Sequence, residues 1–247
     1  MAQTTTITRN IALYPWFKFA QSLLFWQAVW FLYFQQSLSP AAAIALYAVY
    51  DISVTVLEVP SGYLSDRLGR RKTLIAATLA GVTGSLLLAT GGTFAVFVLG
   101  QFFLGAAAAF TSGTDSALLY ESLAAEGRAQ EVEAQETRAL QFSLSGFAIS
   151  AVTGGALALI SLKATFLIAG LAMGAATLIA WRFAEPVQRS VTGVRIGQLA
   201  AMRRALGQPV LRWIFGLSVM MYGFSHLPFV FGQPFIVSAL GEVGFAG

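Results

Sequence analysis

Lys18, Asp51, Glu58, Gln101, Asp115 and His226 are the side chains whose types fit their surroundings least, because each lies within a long apolar run. A charge near the middle of a membrane-spanning helix costs about 2.5–3.5 kcal/mol on insertion scales, so it asks for a partner or a wet cavity. Groups kept at that cost usually serve a substrate or proton path, with static ion pairing as the alternative. Asp51, Thr55, Glu58 and Gly62 are spaced at offsets of four, seven and eleven, which places them in one stripe of a helix. Pro60 should loosen that helix and free backbone carbonyls. Lys18, with Gln21 and Ser22 beside it, can pair with Asp51 or Glu58 across a bundle. Gln101, Gly105, Ala108, Ser112 and Asp115 share a second face, whose small residues would equally suit a tight helix interface. His226 sits beside Pro228, with Gln233-Pro234 further on. Two prolines suggest a broken helix, and the histidine reads either as a proton relay or as a hydrogen-bonded structural group.

The densest charge cluster runs from Gly62 to Lys72, as Gly-Tyr-Leu-Ser-Asp-Arg-Leu-Gly-Arg-Arg-Lys. Arg67, Arg70, Arg71 and Lys72 with Asp66, punctuated by Gly62 and Gly69, make a tight turn that cannot enter hydrocarbon. Asp115, Glu121 and Arg138 can join the Arg67, Arg70 and Arg71 turn in a charge cluster that clamps one state and releases another.

These residues must be positioned by membrane helices. The chain is 57% hydrophobic and only 11% charged, against roughly 25% charged in soluble domains. An all-α integral membrane protein follows, with the lipid bilayer as its first partner. No cysteine is present, which removes disulfides, thiolate metal sites and cysteine nucleophiles. The net charge of +4 sits in loops, where it orients helices rather than binding nucleic acid. Spans are expected over 11–34, 42–64, 74–91, 94–119, 139–160, 164–184 and 211–238. The first is too long for a signal-peptide core and should remain a helix. With this alternation nearly all cations fall on one side and Lys163 alone on the other, so the N-terminus is expected to be cytoplasmic in a plasma or inner membrane. The stretch from Glu185 to Arg212 carries five arginines against one acid. It reads as a linker, either a basic amphipathic helix on the inner leaflet or a disordered tether.

The pattern Gly-x-x-x-Asp-Arg-x-Gly-Arg-Arg, met at Gly62, Asp66, Arg67, Gly69, Arg70 and Arg71, resembles the signature between the second and third helices of the major facilitator superfamily. A generic positive loop accounts for the arginines but not for Asp66 or the glycine spacing. The resemblance implies a six-helix bundle over residues 1–184, a cytoplasmic linker over 185–210, and the first helix of a second bundle over 211–247. Family members carry two such bundles, so Gly247 is expected to be an artificial end, with the missing half or a second copy as a partner. The rival reading is a half-size scaffold or fragment without transport of its own. In the family the glycine matching Gly62 packs against the second bundle, which would turn Asp51 and Glu58 toward the same seam.

The resemblance also implies alternating access for a small organic solute, with a site between bundles near the midplane. It implies no enzyme activity, no cofactor and no metal. Two departures stand out. Proton-coupled members carry Arg-x-x-Gln-Gly where this chain has Gln101-Phe102-Phe103-Leu104-Gly105, which puts coupling through that position in doubt. Antiporters carry a Gly-x-x-x-Gly-Pro-x-x-Gly-Gly run, matched here by Gly146 and then Ser150 to Gly155 without the proline. That degenerate match leans toward a proton-coupled drug or metabolite exporter, and small-residue packing explains it nearly as well. A retinal protein is excluded by the absence of a lysine from the seventh span, and a metalloenzyme by the absence of a paired-histidine motif.

Overall fold

A computed structural model describes residues 2–186, 204 and 206–242. The chain divides into two compact units, residues 1–188 and 189–247. Every secondary-structure element among the described residues is a helix, and no strand occurs among them. The first unit contains α1 (Ala2–Gln21), α2 (Trp30–Gln35), α3 (Pro40–Leu68), α4 (Arg70–Thr90), α5 (Phe94–Thr111), α6 (Thr114–Ala125), α7 (Val132–Ala158) and α8 (Leu162–Arg182). A short 3-10 turn, Ala129–Glu131, precedes α7. The second unit contains α9 (Pro209–Glu242).

Helix starts follow from local chemistry. Ser39, Thr93 and Ser161 each sit in extended backbone and accept a hydrogen bond from the N–H three residues on, which caps α3, α5 and α8. Pro40 occupies the first turn of α3, where its missing N–H costs nothing. Within the unit α4 packs against α5 and α8, α3 against α5, and α1 against α7 and α8. One end is filled by Trp30, Phe31, Phe34, Leu46, Phe97 and Phe166. The aromatic run after Phe25 is therefore core, with Tyr33 donating its hydroxyl to the Leu88 carbonyl at 2.5 Å.

The first expected span, 11–34, is not one helix. Between α1 and α2 the i→i−4 ladder gives way to tight turns, in which the Leu24, Gln27 and Val29 amides bond to the Ser22, Leu24 and Trp26 carbonyls at 2.9–3.0 Å. The cause lies on α7. A Cβ at Gly154 would stand 2.1 Å from the Phe25 carbonyl oxygen, and one at Gly146 would stand 2.8 Å from that of Phe19. Ser150 between them donates to the Ser22 carbonyl at 3.4 Å. The small-residue face of α7 thus receives the unwound backbone directly, while Trp26 stacks on Phe166 with centroids 5.9 Å apart.

The fourth expected span, 94–119, bends as well. Gly113 takes φ of 71° and divides α5 from α6, a left-handed conformation that glycine adopts without a Cβ penalty. Five helical stretches are long and apolar enough to cross a membrane: Pro40–Leu68, Arg70–Thr90, Phe94–Ala125, Ala129–Ala158 and Leu162–Arg182. The expectation of seven is not met among the described residues. The first span is split, and part of 211–238 has side chains outside the described residues. The break expected at Pro228 and Pro234 is also absent, since α9 runs through both. A proline removes one ladder bond and can kink a helix without ending it.

Candidate functional site

The signature turn is a single residue. Gly69 ends α3, donates its N–H to the Ser65 carbonyl at 3.1 Å, and turns the chain with φ of 98° into α4. A Cβ there would lie 2.6 Å from the Glu185 carboxyl carbon. That carboxylate accepts from the Arg70 and Arg71 amides at 2.5 and 3.0 Å. It occupies the N-terminus of α4, where unpaired amides and the helix dipole favour an anion.

Arg70 is the hub of the cluster. Its Nη1 donates to Asp66 Oδ1 at 2.7 Å and to Ser65 Oγ at 2.8 Å. Its Nη2 and Nε donate to Glu121 Oε1 at 3.0 and 3.1 Å. One guanidinium therefore ties α3, α4 and α6 together, a use that suits its rigid fork of donors. Arg71 Nη2 donates to the Trp181 carbonyl at 2.7 Å, and the Arg67 guanidinium lies 5.2 Å from the Tyr63 ring centroid. Gly62 is exposed, and a Cβ there would meet nothing within 4 Å in this unit. Beyond the cluster, between α6 and α7, hydrogen bonds to Glu131 and then Glu126 hold Arg128 more firmly in its charged form.

Asp115 does not join this cluster, and Lys18 pairs with neither Asp51 nor Glu58. The bend at Gly113 turns α6 so that Asp115 Oδ2 meets Lys18 Nζ at 2.7 Å. The Asp115 side chain is 6% exposed and that of Lys18 is 28% exposed. Oδ1 accepts from the Ser116 amide at 2.8 Å, so both carboxylate oxygens are engaged. One turn along α1, Gln21 Nε2 donates to Thr111 Oγ1 at 3.1 Å. These residues border a cavity of about 440 Å³, whose apolar wall includes Leu24, Trp26, Tyr50, Leu104 and Met173. Trp26 reaches that wall because the chain unwinds after α1.

The remaining candidates lie elsewhere. Glu58 is exposed on α3 and accepts from Ser112 Oγ at 3.3 Å. Asp51 is half-buried one stretch earlier, with its carbonyl accepting from Thr55. Gln101 is buried in α5. Arg138 stacks toward Phe142 at 5.9 Å instead of reaching the turn. The His226 side chain lies outside the described residues, as does most of the expected 185–210 linker.

Three residues of these networks escaped the sequence reading. By sequence Glu185 reads only as the start of the linker, its sole signal being an acid before Pro186 in a cationic run. Asn10, 1% exposed, joins α1 to the exit of α8 through the Ala184 carbonyl and amide at 2.9 and 2.8 Å. Its Nδ2 also donates to Ser122 Oγ on α6 at 2.9 Å. Glu136 accepts from the Tyr14 hydroxyl at 3.2 Å.

A family model described as Major Facilitator Superfamily matches residues 14–246. No curated protein matches the chain.

Proposed function

Because the chain belongs to the major facilitator superfamily, whose members move small solutes across membranes, we propose that it carries a small organic solute by alternating access. The cavity beside Lys18 and Asp115 would be the part of the solute path that this unit supplies, and the Arg70 cluster the gate. The observation that carries the gate is that one guanidinium holds Asp66, Glu121 and the start of α4 at the same end of the bundle. Ion pairs at a helix junction are made or broken as a whole when the helices shift, which gives the discrete states that alternating access needs. The apolar wall around one ion pair suits an amphipathic or drug-like compound. The subclass proposed is a proton-coupled exporter in the plasma or inner membrane, with the N-terminus cytoplasmic.

The test is efflux of ethidium from cells making the protein, compared with Asp66→Asn. Loss of one exposed ionic arm is worth at most about 1 kcal/mol, so efflux should slow by up to about fivefold while membrane insertion is retained. Equal efflux at equal protein level would remove the gate role from Asp66.

A further inference from the structure

A second cavity of about 620 Å³ lies between the end of α1 and the first four turns of α7. Its charges do not balance. Lys18 is the one cation in its lining, and Lys18 Nζ is already taken by Asp115 at 2.7 Å in the wall of the first cavity. Glu133 and Glu136 therefore face the space without a cation of their own. Among the described residues Glu136 accepts from the Tyr14 hydroxyl at 3.2 Å, and Glu133 has no partner.

Two hydroxyls in the same lining are unmatched as well. Ser22 and Ser143 are each 7% exposed. Neither hydroxyl has a hydrogen-bond partner among the described residues, and neither oxygen is sealed from the cavity. On the same helix Ser145, Ser150 and Thr153 each donate back to a carbonyl of the preceding turn, the common resting place of a helical hydroxyl. A buried hydroxyl without a partner is unfavourable, so Ser22 and Ser143 ask for a polar atom inside the cavity. From Glu136 to Ser143 the helix rises by about 10 Å. The far end is apolar: Phe147 lines this cavity and also a third, of about 480 Å³, with Leu144, Ala148 and Ala151. Acids, hydroxyls and apolar groups thus follow one another along one face of α7.

We propose that this face binds an elongated amphipathic amine. Its ammonium lies at Glu133 and Glu136, a hydrogen-bonding group about 10 Å along it meets Ser22 and Ser143, and its apolar end lies beside Phe147 and Ala148. An ammonium offers donors and no acceptor, which suits two carboxylates. A hydroxyl both donates and accepts, so an amide, ether or alcohol fits the middle position. An anion of the same length is rejected by the two acids. As a solute class the inference rests on the transport reading, while its test needs no transport.

The experiment is photo-crosslinking of the full chain in digalactosyl diglyceride vesicles, which contain no amine. The probe is N-(6-aminohexyl)-4-benzoylbenzamide, whose ammonium and amide stand about two helical turns apart and whose benzophenone is both apolar end and crosslinker. Labelling should saturate and map to residues 144–151. Its half-saturation concentration should rise roughly tenfold in Glu133→Gln combined with Glu136→Gln and roughly fivefold in Ser143→Ala. Glu133→Gln alone removes no contact within the described protein, so its rise of roughly threefold guards against misfolding. The 6-hydroxyhexyl analogue should label more weakly for want of charge, and the 2-aminoethyl analogue for want of reach. Equal labelling by amine and alcohol, equal labelling by the long and short arms, or labelling indifferent to both acids overturns the site. Saturable labelling without ethidium efflux would keep the site and sink the transport reading, and efflux without amine-dependent labelling would do the reverse.

Discussion

Two adjacent glycines of α7 should respond to the same substitution with opposite signs. Gly154 faces the unwound backbone after α1, where an added Cβ would sit 2.1 Å from the Phe25 carbonyl oxygen, 2.9 Å from its carbon and 3.0 Å from its Cα. Gly155, one residue on, would place a Cβ in open space. Replacing a helix-interior glycine by alanine gains about 1 kcal/mol of helix propensity in either case. At Gly155 that gain stands alone. At Gly154 it is opposed by an overpacking cost of about 1–3 kcal/mol, at or above the upper end because the obstructing atoms are backbone and have no rotamer to escape into. Gly154→Ala should therefore destabilise by about 2 kcal/mol net while Gly155→Ala stabilises by about 1 kcal/mol. With about 2–4 °C per kcal/mol for a domain of this size, the two thermal midpoints should separate by roughly 6–12 °C. Thermal unfolding of the purified variants in one detergent reads this directly. Midpoints that move together, or a Gly154→Ala variant more stable than Gly155→Ala, would refute the backbone contact and with it the stated cause of the break in the first span.

Two further outcomes follow from buried polar contacts. Asn10→Ala removes three hydrogen bonds that join α1 to α6 and to the exit of α8; with buried partners left unpaired the cost should be about 2–4 kcal/mol, measured by the same unfolding assay. Lys18→Met leaves Asp115 buried without its cation and should cost about 3 kcal/mol, whereas Lys18→Met combined with Asp115→Asn should cost less than Lys18→Met alone. A double variant as unstable as the sum of the singles would show that the pair is not coupled.

Much of the first unit was legible because its punctuation is chemical. Ser39-Pro40, Gly91-Gly92-Thr93 and Ser161 are caps and turn residues, and helices begin beside each of them. The association of Asp66, Arg70 and Glu121 was legible for a similar reason, since charges excluded from hydrocarbon gather at helix ends. Arg138 was misplaced because a cation near a helix start was assumed to seek acids, while Phe142, four residues on in α7, offers it a ring face. Glu185 was misread because composition described its neighbourhood as linker, and composition cannot see the unpaired amides that α4 presents to it.

The placement of Asp115 and Trp26 depended on two interruptions that straight-helix periodicity averages away. Offsets of four, seven, eleven and fourteen put Gln101, Gly105, Ala108, Ser112 and Asp115 on one face only if the helix continues, and Gly113 ends it just before the last member. The glycine was visible, but a single glycine in an apolar run is as compatible with close packing as with a left-handed turn. Residues 22–29 gave less warning still, since Ser-Leu-Leu-Phe-Trp-Gln-Ala-Val contains neither glycine nor proline. Their unwinding is imposed from α7, by the glycines and serine that admit the backbone of Ser22 and Phe25. The residues that break the first span therefore lie more than a hundred positions further along the chain. The same face, Gly146 to Gly154, was read as a worn antiporter motif, and in this unit its measurable work is to hold that unwound segment, and so Leu24 and Trp26, against the cavity that Lys18 and Asp115 border.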